Sequence, residues 1–258
     1  MNDLTADISR ILRQGNIANF TQESRWIAED APDRETALLW ASRRAAGEPL
    51  QYILGTAPFR EVMLKVDPRV LIPRPETELL AQWLIDHAPD KGCVLDLGCG
   101  SGAIAIATAY ERSDLQVTAA DISTDALALA EENAALCGVK NVTFVNSDLF
   151  SALAGCRYDL IGANLPYVTD EEYPFLPAEV RDFEPRLALT APDRGLALIL
   201  QTVKELPEHL NHGGGAIFEL APEQAAETAA AMSAIGMTST VIRDFCGKER
   251  FVAGVFSV

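Results

Sequence analysis

The feature that most constrains this fold is a glycine-rich turn between an apolar run and a helix start, Val94-Leu-Asp-Leu-Gly-Cys-Gly-Ser-Gly-Ala103. Gly98, Gly100 and Gly102 permit positive φ and let a ligand approach the main chain closely. The helix that follows offers free N–H groups in its first turn. The spacing also fits a loose dinucleotide fingerprint, so by itself it does not separate NAD from another nucleoside cofactor.

Strands and helices alternate from Cys93 onward, which predicts an α/β fold with a mostly parallel sheet. The last two strands follow each other without a helix, so we expect the final strand to return antiparallel. Predicted strands lie at about 93–97, 115–120, 142–146, 157–163, 214–220, 238–243 and 250–257, and predicted helices at about 102–110, 123–137, 193–210 and 222–235.

The first 90 residues have a different character. Apolar residues recur at helical spacing in residues 3–46, and Pro32-Asp33 is typical of a helix start. Prolines and glycines punctuate residues 49–74, which predicts a β-hairpin connector. Arg74 lies between two prolines, so it is expected either to line a site or to belong to a stiff interdomain elbow. Thr77 is expected to cap the next helix.

Charge and cysteine usage exclude several classes of protein. The net charge is −16, and a strongly acidic surface disfavours a large nucleic-acid footprint. The five cysteines form no CxxC pair, which indicates a reducing compartment and no zinc site. His209 and His212 adjoin three glycines and lack a third ligand, so we predict no metal. No apolar run reaches membrane-span length and no secretory signal is present, so we expect a cytoplasmic protein.

Acidic side chains follow two of the predicted strands. Asp121 ends the second strand, 23 positions after the first loop glycine, where a carboxylate accepts hydrogen bonds from ribose hydroxyls. The alternative is a neighbour of a helix cap, with Ser123 as the cap. After the third strand, Asp148 is expected to accept from an adenine amine, and Leu149 and Phe150 to pack on its ring.

The buried strand at 158–163 stops at Asn164-Leu-Pro-Tyr167. Pro166 cannot donate to a sheet ladder, so a side-chain amide, the Leu165 carbonyl and an aromatic ring are presented at the carboxyl end of a strand. The alternative is an ordinary turn, since Asn and Pro are common turn residues. Glu219 is a second strand-end acid, either in the cleft or structural.

These motifs together resemble the amino-group methyltransferases of the seven-stranded class. With Gln51-Tyr-Ile-Leu-Gly55, Leu71-Ile-Pro-Arg-Pro-Glu-Thr-Glu78 and Phe183-Glu-Pro-Arg186, the sequence closely resembles the release-factor glutamine methyltransferases, the HemK family, from about residue 49 to the end. The resemblance implies an S-adenosylmethionine-dependent, Rossmann-like domain of seven strands. It also implies N5-methylation of the glutamine in the Gly-Gly-Gln motif of bacterial peptide chain release factors.

The separate helical apolar pattern of residues 1–48 predicts a substrate-docking domain, followed by a hairpin linker at 49–78 and the catalytic domain at 79–258. We expect a monomer with no direct nucleic-acid or membrane contact. The resemblance implies that it binds release factors, and it also implies the site residues. The implied cofactor-binding residues are Asp96, Gly98, Cys99, Gly100, Ser101, Gly102, Asp121, Ile122, Asp148, Leu149 and Asn164. The implied substrate-binding residues are Arg74, Pro75, Asn164, Leu165, Pro166 and Tyr167, of which the last four are also catalytic.

One departure from the family and four alternatives bear on function. The family usually has Asn-Pro-Pro-Tyr, whereas Leu165 stands at the second position here; only its carbonyl is needed as an acceptor. Asn-Leu-Pro-Tyr also occurs in RNA dimethyladenosine transferases, so RNA adenine methylation is one alternative function. Methylation of a ribosomal-protein glutamine is a second, because ribosomal-protein glutamine methyltransferases are related to the release-factor enzymes. An NAD-dependent dehydrogenase would leave the tetrapeptide unexplained, and a noncatalytic module would bind cofactor without methyl transfer.

Overall fold

The N-terminal helices form a small bundle with its own core. The computed structural model describes residues 3–257. The helices are α1 at Asp3–Gln14, α2 at Phe20–Asp30 and α3 at Arg34–Ala45. They bury Ile8, Leu12 and Ile27 against one another. Asp33 caps α3 by accepting a hydrogen bond from the Thr36 N–H at 2.8 Å, which confirms the predicted helix start.

A β-hairpin follows, as predicted, but a short helix precedes it. These elements are α4 at Leu50–Leu54 and the antiparallel strands β1 at Thr56–Phe59 and β2 at Val62–Lys65. α4 is little more than one turn between Pro49 and the left-handed Gly55, too short for a periodic pattern to predict. Phe59 and Leu64 are buried in a core shared with the main sheet, so the hairpin packs on that sheet.

Within residues 3–257 the main sheet has seven strands, in the order β5-β4-β3-β6-β7-β9-β8. They are β3 at Cys93–Leu97, β4 at Gln116–Asp121, β5 at Val142–Asn146, β6 at Tyr158–Ala163, β7 at Leu210–Glu219, β8 at Met237–Arg243 and β9 at Glu249–Phe256. β9 runs antiparallel to β7 and β8, which confirms the expected return of the final strand. β7 begins at Leu210 rather than near 214, because a register shift opposite Tyr158 and Leu160 takes the turn-like glycines into the strand.

Helices cover both faces of this sheet. They are α5 at Glu78–His87, α6 at Ala103–Glu111, α7 at Thr124–Leu136, α9 at Ala197–His209 and α10 at Ala225–Ala234. A further short helix, α8 at Ala178–Phe183, was not predicted and buries no residue in either core of the sheet. Val94 and Leu160 face one core with α5, α6 and α7, whereas Leu95 and Ile161 face another with α9 and α10. The predicted seven-stranded α/β class is therefore confirmed. Among the described residues, no helix combines the length and apolarity that a membrane crossing requires.

β3 and β6 meet where the order of the strands reverses. After β3 the chain adds β4 and β5 on one side, and then it crosses to β6 on the other. Leu97 pairs with Ala163, so the next residues, Gly98 and Asn164, leave neighbouring strands side by side. In open α/β sheets the ligand crevice lies outside the carboxyl ends of the strands at such a switch point. The fold therefore brings the glycine loop and the tetrapeptide together.

Candidate functional site

The glycine loop after β3 is held by the end of β4. Gly98, Gly100 and Gly102 have φ of 78°, 54° and 80°, which explains why glycine stands at each position. The N–H groups of Gly98 and Cys99 both donate to the Ala120 carbonyl, at 2.8 and 3.0 Å. The loop is thus a defined turn whose backbone position is set by the neighbouring strand.

Asp121 completes this arrangement with its side chain. Oδ2 accepts from the Gly100 N–H at 2.8 Å, and Oδ1 accepts from the Ser123 N–H at 2.9 Å. Burial raises the pKa of Asp121, while these backbone N–H groups act to lower it. Ser123 caps α7 by accepting from the Ala126 N–H, as the alternative interpretation of this segment expected. A carboxylate has about four acceptor positions, so Asp121 retains the capacity to bind further donors.

A cavity of about 260 Å³ lies between the loop and the tetrapeptide. Of the predicted site residues, its wall contains Arg74, Gly98, Cys99, Gly100, Ser101, Asp121, Ile122, Asp148, Leu149, Asn164, Leu165 and Pro166. Asp96, Gly102, Pro75 and Tyr167 lie outside this wall. Sequence reasoning did not assign to the site Val70, Leu71, Thr77, Pro185, Leu187 and Leu198, which also line it. The available sequence signal was proline: Pro73 and Pro185 fix the backbone of the two segments that contribute most of these residues.

Asp96 lies behind the loop and supports it. Oδ2 accepts from the Ala105 N–H at 3.0 Å in the first turn of α6, and Oδ1 has no hydrogen-bond partner among residues 3–257. Burial raises the pKa of Asp96 to about 7. The side chain is completely buried, so its observed contact is with the helix that follows the glycine loop.

The segment after β5 divides between the cavity and the core. Asp148 and Leu149 line the cavity, and Leu149 has a left-handed φ of 45°. This turn sends Phe150 inward, where its ring stacks on His209 with centroids 4.1 Å apart. The expectation that Phe150 packs on an adenine ring is therefore wrong, because its side chain is part of the core beneath the site.

The tetrapeptide after β6 is fixed by both of its first two side chains. Asn164 is half-buried, and its Nδ2 donates to Thr77 Oγ1 at 3.2 Å. Leu165 is buried against the glycine loop, where a Cβ added to Gly98 would lie 2.9 Å from Leu165 Cδ2. Leu165 therefore fills space between the two parts of the site.

Thr77 has a different role from the expected helix cap. Its side chain makes no capping hydrogen bond to α5. Instead Oγ1 donates to Glu219 Oε2 at 2.7 Å and accepts from Asn164. Glu219, at the end of β7, is buried and lies outside the cavity wall. Burial raises its pKa to about 7.

Tyr167 is anchored through its backbone rather than placed in the cavity wall. Its carbonyl accepts from Gln224 Nε2 at 2.9 Å, and its half-buried ring packs against the core under α9 and α10. Burial raises the pKa of Tyr167 to about 12. Its contact with a substrate amide stays a prediction.

The Pro-Arg-Pro segment is tied to the segment after α8. Arg74 Nη2 lies 2.6 Å from Glu184 Oε1, and Glu184 Oε2 accepts from the Ile72 N–H at 3.2 Å. Burial raises the pKa of Glu184, and Arg74 opposes this shift. Arg74 thus lines the cavity in a fixed position, while Pro75 begins a 3-10 turn beside it.

Comparison with known proteins identifies the family. A family model described as "Methyltransferase small domain" matches residues 75–177. A release factor glutamine methyltransferase from Salmonella typhimurium is 39% identical over 83% of this chain and 78% of its own length. The chain belongs to the release factor glutamine methyltransferase family.

One further relative and one solved structure extend this comparison. The Geobacter sulfurreducens release factor glutamine methyltransferase is 40% identical over 83% of this chain and 75% of its own length. Among solved structures, the T. thermophilus 16S rRNA N2 G1207 methyltransferase in complex with AdoMet and guanosine aligns with a TM-score of 0.56 at 15% identity. The alignment covers 78% of this chain and 50% of that one. The structural likeness concerns the fold alone, and family membership rests on the sequence relatives.

Proposed function

We propose that this protein transfers a methyl group from S-adenosylmethionine to the side-chain nitrogen of the glutamine in the Gly-Gly-Gln motif of bacterial peptide chain release factors. The observation that carries the proposal is the adjacency of the glycine loop and Asn164 on paired strands, with one cavity between them. Family membership supports it, since the relatives are named for this substrate.

The residues around the glycine loop fit the cofactor. Gly100 lines the cavity, and a Cβ there would meet no protein atom within 4 Å, so the backbone is open to a ligand. Asp121 would accept hydrogen bonds from the ribose hydroxyls, and Asp148 and Leu149 would hold the adenine. When bound, S-adenosylmethionine would supply an electrophilic methyl group on a sulfonium, so no covalent enzyme intermediate is required.

Asn164 and Leu165 would hold the substrate amide. An amide nitrogen is a weak nucleophile, because its lone pair is delocalised into the carbonyl, and it carries two N–H donors. Asn164 Oδ1 would accept from one donor and the Leu165 carbonyl from the other. Together they would orient the nitrogen toward the methyl group, which is catalysis by positioning. Leu165 serves as well as the family's usual proline in this role, because the acceptor is a backbone carbonyl.

The N-terminal bundle is proposed to dock the release factor. Arg44 of α3 pairs with Glu23 of α2 at 2.7 Å and with Glu179 of α8 at 2.7 Å. α8 leads directly to Glu184, which holds Arg74 in the cavity wall. A partner bound by the bundle would therefore lie next to elements that lead to the site. The proposed enzyme acts as a cytoplasmic monomer.

The decisive experiment is single-turnover transfer of a radiolabelled methyl group to purified release factor. We expect transfer to Gly-Gly-Gln and none to a Gly-Gly-Glu control. Removal of a preorganised polar contact at a reacting centre lowers rates by about 10²–10³. Asn164→Ala should show this loss with saturating cofactor, while calorimetric affinity for the cofactor changes little.

The same assay separates the alternatives. Wild-type transfer by Asn164→Ala would mean that the tetrapeptide is only a turn. Preferential transfer to ribosomal protein or RNA would replace the proposed substrate. Cofactor binding without any transfer would indicate a noncatalytic module, whereas tight NAD binding would restore the dehydrogenase alternative.

A further inference from the structure

Three neighbouring strands each contribute one polar or loop residue to the same row of the sheet. Leu97 pairs with Ala163, and Ala163 pairs with Phe218. The next residue on each strand is Gly98, Asn164 and Glu219 respectively. Neighbouring strands lie about 4.8 Å apart, so Glu219 is next to Asn164 on the side away from the glycine loop.

Thr77 fills the space between Asn164 and Glu219. Its hydroxyl donates to Glu219 Oε2 at 2.7 Å and accepts from Asn164 Nδ2 at 3.2 Å. Thr77 and Glu219 are 4% and 2% exposed, so water does not compete for these contacts. A hydroxyl has only one hydrogen, and an ionised carboxylate can only accept, so the direction of both hydrogen bonds is determined.

We infer that Thr77 and Glu219 are positioning residues that fix the orientation of the Asn164 amide. With Nδ2 committed to Thr77, the amide cannot rotate by half a turn without losing that hydrogen bond. Among residues 3–257, Asn164 Oδ1 accepts no hydrogen bond and is left to receive an N–H of the substrate. This inference rests on the proposed function, because it assigns the acceptor end of Asn164 to the substrate glutamine.

The orientation depends on the ionisation of Glu219. A protonated Glu219 can donate to Thr77, and the Thr77 hydrogen is then free to donate to the oxygen of a rotated Asn164 amide. Burial raises the pKa of Glu219 to about 7. The charged or titratable groups that face it are Arg250 of β9, Arg74 and Glu76 before α5, and Tyr167 after β6. Arg250 and Arg74 oppose the shift and Glu76 adds to it. The productive orientation is therefore favoured as the pH rises through about 7.

A double-mutant cycle on methyl transfer tests the positioning role. Thr77→Val removes the hydroxyl at constant shape and should lower the single-turnover rate roughly 10- to 100-fold, the effect of a misplaced contact. Thr77→Ser should restore most of that loss. In an Asn164→Ala background, Thr77→Val should cost less than about twofold more, because its effect passes through Asn164. A full, multiplicative loss in that background would overturn the inference.

The pH profile and a spectroscopic readout complete the test. In wild-type protein the rate should rise through pH 7, and this limb should disappear in Glu219→Gln, whose amide does not titrate. The side-chain NH₂ resonance of Asn164, identified by its loss in Asn164→Ala, should titrate near pH 7 in wild-type protein and not in Glu219→Gln. An unchanged resonance in Thr77→Val would also overturn the inference.

Failure of the two proposals can be told apart. If wild-type protein transfers no methyl group to release factor, the proposed function fails, and the resonance still reports whether Thr77 orients Asn164. If wild-type protein is active but the cycle is multiplicative, only the positioning role fails. Cofactor affinity of Thr77→Val should match that of Thr77→Ser, which excludes general damage to the cavity, whereas its melting temperature should be lower because the buried Glu219 and Asn164 side chains lose their partner.

Discussion

Two glycines in the left-handed conformation, Gly100 and Gly138, allow a test of the cofactor site against a matched control. Gly100 has φ of 54° and lines the cavity, whereas Gly138 has φ of 70° and follows α7. A Cβ at either position meets no protein atom within 4 Å. α7 starts beside the cavity and has 13 residues, so Gly138 lies about 20 Å from its start. Gly100→Ala and Gly138→Ala therefore both force a residue with a Cβ into the left-handed conformation. They differ in that only Gly100 lines the proposed cofactor cavity.

The expected magnitudes follow from this comparison. A left-handed conformation costs a residue with a Cβ roughly 1–2 kcal/mol, so both variants should lose about that much unfolding free energy. Gly138→Ala should bind S-adenosylmethionine like wild-type protein. Gly100→Ala places a methyl group at the cavity wall and should bind at least about tenfold more weakly, which is about 1.4 kcal/mol.

Urea unfolding and calorimetric titration measure these two quantities independently. The unfolding titrations check that the strain is matched, and the calorimetry reports the effect of the added methyl group. Equal cofactor affinities of the two folded variants would refute the assignment of the glycine loop as the cofactor cradle.

Three further perturbations address other parts of the molecule. Gly195→Ala would place a Cβ 1.9 Å from the Tyr167 carbonyl oxygen. It should therefore lower the unfolding free energy by more than about 3 kcal/mol, well beyond the Gly236→Ala control, and equal melting temperatures would contradict this. Burial raises the pKa of Asp96 to about 7, so the folded state holds a proton that the unfolded chain releases. The contribution of Asp96 to the unfolding free energy, up to about 4 kcal/mol, should be lost as pH rises from about 4 to 7. In urea titrations, the unfolding free energy of Asp96→Asn should lack this pH-dependent loss. Deletion of residues 1–46 should preserve cofactor affinity but reduce methylation of intact release factor at least tenfold; equal activity would argue against docking.

The sequence was sufficient where the signal is local. The glycine loop, Asp121 and Asn164 each follow a strand end, and parallel pairing brings such ends to one edge of a sheet. The predicted strands, apart from the start of β7, were confirmed because each apolar run is bounded by turn residues, and β9 returns antiparallel as expected.

The rest depends on contacts between distant residues. Thr77 precedes a helix, which suggested a cap, but it bonds instead to Glu219, 142 positions away. Leu149 adopts a left-handed φ, and the Phe150 side chain that follows it lies in the core and not in the cavity. Leucine rarely adopts this conformation, so no propensity predicts the turn. The helix at Ala178–Phe183 is too short to show a periodic pattern.

The row formed by Gly98, Asn164 and Glu219 has a consequence for how heat inactivates the protein. Their spacing is set by backbone hydrogen bonds between central strands, which are among the last parts of a fold to open. Flexible loops do not determine the distance between the proposed methyl donor and acceptor. Loss of methyl transfer on heating should therefore coincide with cooperative melting of the sheet, whereas weaker docking by the N-terminal bundle would show first as a rise in the KM for release factor.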